Sequence, residues 1–213
     1  MEKNSKISFY ELFYIFLFGC LFGYIVEVIW SFYRFRVFIN HTALVIGPFN
    51  LVYGISAAVL SIILNKHKND NLLKLFIISF IAGSVIEYSL SYAMEKMAGF
   101  VAWNYKRYMF NINGRICLKY SIFWGILGVI WIKLIYPYVI RLISKIPNKT
   151  GEIIKNILIV FLLIDGLLTL QAVDRAHAYE KGIPPSSKYE EYLDEHYGVD
   201  YLNNMYNNRW NKK

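Results

Sequence analysis

Residues 9–32 read FYELFYIFLFGCLFGYIVEVIWSF. Wound as a helix at 1.5 Å per residue, this run reaches about 36 Å, more than the ~30 Å of bilayer hydrocarbon. It is too long for a signal-peptide core and lacks a small-x-small cleavage site, so it reads as a retained first span. Four further apolar segments follow, over 49–65, 72–94, 120–140 and 153–174. The expected fold is therefore all-α: a polytopic membrane helical bundle of about five transmembrane helices. The transmembrane domain covers 1–175, and a polar tail covers 176–213. Pro184 and Pro185 break any helix at the head of the tail, leaving a short surface helix and loops beyond them.

Composition agrees with this reading. Of 213 residues, 56% are hydrophobic and only 18% charged, whereas a soluble domain would be close to half apolar and about a quarter charged. The net charge of +8 sits in short clusters between apolar runs. It makes no nucleic-acid patch and suits helix flanks in contact with membrane lipids. Cys20 and Cys117 give no metal-ligand spacing, so neither a metal nor another cofactor is expected. The chain carries no G-x-x-x-x-G-K-[ST], no H-E-x-x-H and no G-x-S-x-G. No catalytic activity of its own is expected.

Five spans place the termini on opposite sides. The N-terminal tail and the second and fourth connections hold Lys3, Lys6, Lys66, Lys68, Lys74, Arg141, Lys145, Lys149 and Lys155. The first and third connections hold Arg34, Arg36, Lys96, Lys106, Arg107, Arg115 and Lys119. Nine against seven puts the N-terminus in the cytoplasm by the positive-inside rule.

The chain also hints at an internal repeat. Gly23-x-x-x-Glu27 in the first span is matched by Gly83-x-x-x-Glu87 in the third. Each is followed by a polar connection ending in a glycine-led motif, Gly47-Pro48-Phe49 and Gly114-Arg115-Ile116. Each motif leads into a span carrying an aromatic-glycine pair, Tyr53-Gly54 and Trp124-Gly125. Two spans per unit would make the units parallel.

Glu27 and Glu87 are the informative residues, because a carboxylate in hydrocarbon costs several kcal/mol and marks a site or a structural pair. Gly19, Gly23, Glu27 and Ser31 form one helix stripe, and Ser84, Glu87, Ser91 and Glu95 another. Plain helix packing is the alternative for the glycines, and an ion pair or protonation the alternative for the acids. Spans one, three and five run the same way, so Glu27, Glu87, Asp174 and Arg175 lie toward one face, with Asp165 deeper in span five. Arg115, Asn111 and Asn113 border that face. Arg115 is the expected cationic partner of the buried acids, and the asparagines are expected to fix a tight entry at Gly114. The result is a polar cavity open to one membrane face. His41 and His177 border the same face, and Lys133 snorkels at the other.

The stretches GYIVEVIW, GPFNLVYG, SVIEYSLSYAMEKM and WNYKRYMFNINGRICLKYSIFWGILG together resemble the bacterial ABC-transporter permease family labelled type IV or CmpB-like. The resemblance runs from about residue 10 into the tail. Leu51 stands where the family pattern has proline, and Asn104 and Lys106 stand where it has an acid and a serine. The resemblance implies a multi-pass permease component in a bacterial cell membrane, working with a separate ATPase subunit, with itself, or with both. Two other readings stay open on the residues alone: a membrane-embedded enzyme acting on a lipid headgroup, and a non-catalytic membrane assembly protein.

Overall fold

The computed structural model describes residues 6–99, 101 and 103–206. Lys3 of the charge count and residues 207–213 of the tail lie outside the described residues. The chain is helical: α1 (Phe9–Phe35), α2 (Leu51–Asn65), α3 (Leu72–Ala98), α4 (Leu118–Ile130), α5 (Tyr136–Ile143), α6 (Asn148–Glu180), α7 (Lys188–Tyr197) and α8 (Val199–Met205). Local chemistry sets the boundaries. Ser8 and Glu11 form a reciprocal capping box at the start of α1. Asn50 and Asn71 cap α2 and α3 by accepting from the backbone N–H groups of Tyr53 and Lys74. Gly99, at φ 70°, ends α3 in the left-handed conformation that glycine adopts without strain. Between α4 and α5 the helix loosens into a π turn over Trp131–Ile135. Pro137, two residues on, has no N–H to offer the preceding turn, which accounts for the break.

Four helical stretches are long and apolar enough to cross a membrane: Phe9–Phe35, Leu72–Met97, Leu118–Ile143 and Asn148–Glu180. The segment expected as a second span also forms a helix, but α2 has only 15 residues. That makes about 22 Å, short of the hydrocarbon thickness by itself. Gly47-Pro48 and the Asn50 cap explain the late start, because they hold residues 42–50 out of helix.

α2 runs antiparallel to α1, and α4 antiparallel to α3. α6 runs parallel to α1: the Tyr14 hydroxyl donates to the Gly151 carbonyl at 2.8 Å, and Phe161 packs with Cys20 and Phe49 further along. The main core lies between these helices, around Ile15, Leu60, Leu64, Leu75, Trp131 and Ile132. A second core lies at the far end of α6, where Val45, Ala172, Val173 and Ala176 receive Leu193, Leu202 and Met205. The tail therefore carries two short helices that dock on α6. The Arg175 guanidinium holds this fold-back through Asp194 at 2.7 Å and the Ile183 carbonyl at 3.0 Å.

Candidate functional site

The two helical hairpins are built on the same contacts. A shift of 60 residues carries Phe16, Gly19, Gly23, Glu27 and Ser31 onto Phe76, Ser79, Gly83, Glu87 and Ser91. A shift of 71 carries Tyr53, Gly54 and Ala57 onto Trp124, Gly125 and Gly128. The contacts follow the same correspondence. Gly23 lies under the Tyr53 ring and Gly83 under the Trp124 ring, so close that a Cβ at either would overlap the ring. Gly54 meets Phe16, as Gly125 meets Phe76. Gly19 meets Ala57, as Ser79 meets Gly128. Small residues at these crossings let the backbones approach, which is how helices associate without a hydrophobic drive between them. The units therefore correspond in three dimensions as the sequence pattern suggests.

Each unit aims an aromatic donor at its acid. The Tyr53 hydroxyl donates to Glu27 Oε1 at 2.8 Å, and the Trp124 indole N–H donates to Glu87 Oε2 at 3.1 Å. Glu27 lies about 27 Å along α1 from Phe9, near the far edge of the hydrocarbon. The connections complete the surroundings differently. In the second unit the Tyr105 hydroxyl donates to Glu87 Oε1 at 2.9 Å, which satisfies both oxygens. Glu87 is 6% exposed. Burial, and then the neighbouring Glu87 charge, raise the pKa of the Tyr105 phenol. In the first unit His41 takes the corresponding place. Its Nε2 lies 2.6 Å from Ser31 Oγ, and its Nδ1 lies 3.9 Å from Glu27 Oε2. The Glu27 side chain keeps 29% of its surface exposed. One acid is thus closed in and the other stays open.

Both connections enter the bundle as non-helical chain, which is tolerated at such depth only when its polar groups are satisfied by protein or by a wet cavity. Thr42 Oγ1 donates within reach of the Leu44 and Gly47 carbonyls, at 3.0 and 2.7 Å. Gly47 turns at φ 81°. The Val45 N–H donates to Thr169 Oγ1 at 3.0 Å, and the Ile46 N–H to Asp165 Oδ1 at 3.1 Å. From the tail, the Tyr201 and Tyr206 hydroxyls donate to the Val45 and Ala43 carbonyls. Asp165 is 1% exposed, and its Oδ2 has no hydrogen-bond partner. Asp165 therefore docks the first connection onto α6. The second connection turns through Asn113 and Gly114, at φ 52° and 69°. The Gly114 N–H donates to Asn111 Oδ1 at 3.2 Å, while Asn111 Nδ2 reaches the Tyr108 carbonyl at 2.9 Å. Asn113 Nδ2 donates to the Tyr88 hydroxyl at 2.9 Å. The two asparagines fix the entry at Gly114 in this way.

Arg115 is placed otherwise than the sequence suggests. Its guanidinium pairs with Glu95, donates to Ser91 Oγ at 3.2 Å and lies over the rings of Tyr88 and Tyr92. Glu95 is closer to the aqueous boundary than Glu87, so pairing there strips less water from both charges. Arg175 is engaged by Asp194, and Asp174 is exposed. Among the described residues no lysine or arginine forms a salt bridge with Glu27, Glu87 or Asp165. Sequence reasoning missed Tyr105, the contacts of Thr42 within its own connection and the Thr169 contact with Val45. It also missed Tyr201, whose partner lies 156 positions away. Lys133 reaches the opposite end, where its Nζ donates to the Lys68 carbonyl at 2.7 Å. A groove of about 230 Å³ lined by Ser8, Glu11, Ile140, Ser144 and Asn148 also lies at that end, away from the acids.

The family model described as "Putative ABC-transporter type IV" matches residues 14–170, which takes in both helical units and most of α6. The chain belongs to that family. No curated protein and no solved structure matches it.

Proposed function

We propose that this member of the ABC-transporter type IV family is the membrane-embedded permease component of an ATP-driven transporter, with its ATPase on a separate chain. The observation that supports the reading most is the open carboxylate of Glu27. It has the same helical frame as the closed Glu87, yet its side chain stays 29% exposed beside Tyr53 and His41. In this reading Glu27 faces a polar cavity at the end of the bundle where α1 and α3 finish. Glu87, Asn111, Asn113 and Asp165 hold the walls, while Arg115, Asp174 and Arg175 lie at the rim. Gly47, Pro48 and Gly114 let non-helical chain reach it. Acids without a lysine or arginine partner favour a solute bearing N–H donors or positive charge. The N-terminus lies in the cytoplasm of a bacterial cell, and so few spans per chain call for pairing with a second membrane chain.

Gentle extraction of the tagged protein from its own membranes tests this. The expected result is a stoichiometric ATP-hydrolysing subunit whose activity elutes with the tag. A chain that elutes with no nucleotide hydrolase, under conditions that preserve other transporters of the same membrane, would overturn the proposal.

A further inference from the structure

The second connection does more than close off Glu87. Its backbone is pinned on several sides: by the Asn111 contacts, by the Tyr105 N–H donating to the Gly114 carbonyl at 2.7 Å, and by the Trp103 indole donating to the Arg115 carbonyl at 2.9 Å. The pinned loop nevertheless presents large apolar side chains outward. Met109 is 78% exposed and Phe110 72%. Phe110 sits at φ 54°, a conformation that costs energy for a bulky residue. Exposed Lys106 and Arg107 stand beside this tip. Exposed Lys119 is held with its Nζ 5.5 Å from the Tyr108 ring centre and 5.6 Å from that of Tyr120. Among acids nearby, Glu87 is buried and Glu95 is neutralised by Arg115.

Depth decides what meets such a surface. The loop is tied to α3 between Glu87 and Glu95, about 23 to 35 Å along the helix from Leu72. That range brackets the boundary between acyl chains and headgroups. A rigid apolar tip with a cationic collar at this level is complementary to an anionic lipid, whose chains take the tip and whose phosphate meets the collar.

We propose that the loop 104–119 is a binding site for an anionic phospholipid, with Met109 and Phe110 in the acyl region and Lys106, Arg107 and Lys119 on the headgroup. The site does not depend on the transport reading. Native mass spectrometry of the full chain tests it, with dioleoyl phosphatidylglycerol and dioleoyl phosphatidylcholine offered in equal amounts. The wild type should retain phosphatidylglycerol preferentially. K106Q/R107Q/K119Q should reduce that retention about tenfold or more and leave phosphatidylcholine unchanged. The charge-keeping K106R/R107K/K119R should restore it. For the wild type alone, the preference should fall as ammonium acetate rises from about 0.05 to 0.5 M, a readout independent of variant folding. Equal retention of the two lipids by the wild type would overturn the site. So would an unaltered preference in the glutamine variant, or a dimer mass that the glutamine variant dissolves, which would assign the surface to a second copy.

Discussion

Tyr53→Phe and Tyr105→Phe each remove a phenolic hydroxyl that donates to one of two equivalently placed acids. The bonds lost are nearly equal in length, 2.8 Å to Glu27 and 2.9 Å to Glu87. The ring is kept in both, and that of Tyr105 retains its stack on Tyr120 at 4.5 Å. Only the surroundings differ. A hydrogen bond between membrane segments is worth about 0.6 kcal/mol on average and about 1.7 at most. An oxygen left unsatisfied in a buried site adds a desolvation cost of about 1–3 kcal/mol. Glu87 is 6% exposed and cannot recruit water, so Tyr105→Phe should cost about 2–3 kcal/mol. Glu27, with 29% of its side chain exposed, can replace the lost donor with water, so Tyr53→Phe should cost about 0.5–1 kcal/mol. The difference, about 1–2.5 kcal/mol, is about fivefold to seventyfold in the unfolding equilibrium. Reversible denaturation in mixed micelles, followed by tryptophan fluorescence, reads both values. Equal costs, or a larger cost for Tyr53→Phe, would refute the contrast between an open and a closed acid.

Three further outcomes follow from named contacts. Gly83→Ala forces a Cβ into the Trp124 ring and should lower thermal stability sharply, whereas Gly166→Ala, with nothing within 4 Å, should leave it equal or raise it by up to about 1 kcal/mol; melting in detergent separates the two. Tyr201→Phe frees the Val45 carbonyl from the tail, so amide exchange should accelerate across residues 43–47 while α3 stays protected, as hydrogen–deuterium exchange would show. In the turn between α2 and α3, hydrogen bonds from Lys74 and then His67 hold the Asp70 carboxyl below its ordinary value. A depressed carboxylate contributes stability above its unfolded pKa and loses it as pH falls through the folded one. Asp70→Asn should therefore flatten the acid limb of stability between about pH 4 and pH 2 and be mildly destabilising at neutrality; a melting series across pH tests both.

The long helices were legible because each is an apolar run of membrane length, and the paired Gly-x-x-x-Glu motifs were legible because the repeat spacing is visible along the chain. Which aromatic serves each acid was only half legible. Tyr53 and Trp124 stood out in their glycine pairs, but Tyr105 lies in a polar connection with no periodicity to place it. Arg115 was assigned to the wrong acid because charge counting cannot rank partners by solvation. Glu95, one turn beyond Ser91, lies nearer water and takes the guanidinium. The docking role of Asp165 was not legible, since nothing in the order of residues shows that the Ile46 N–H, 119 positions away, needs an acceptor. The tail looked polar because its apolar residues are sparse. Leu193, Leu202 and Met205 meet on one side only after α7 and α8 fold back on α6.

The most direct test of the open acid is carboxylate labelling in reconstituted vesicles, mapped by peptide mass spectrometry. A water-soluble carbodiimide with a small amine should modify Glu27 and spare Glu87. Dicyclohexylcarbodiimide, which arrives through the lipid, should show no preference for Glu27 over exposed carboxylates. Contradiction would come from water-borne labelling of Glu87 as fast as Glu27, or from Glu27 reacting with the lipid-borne reagent alone.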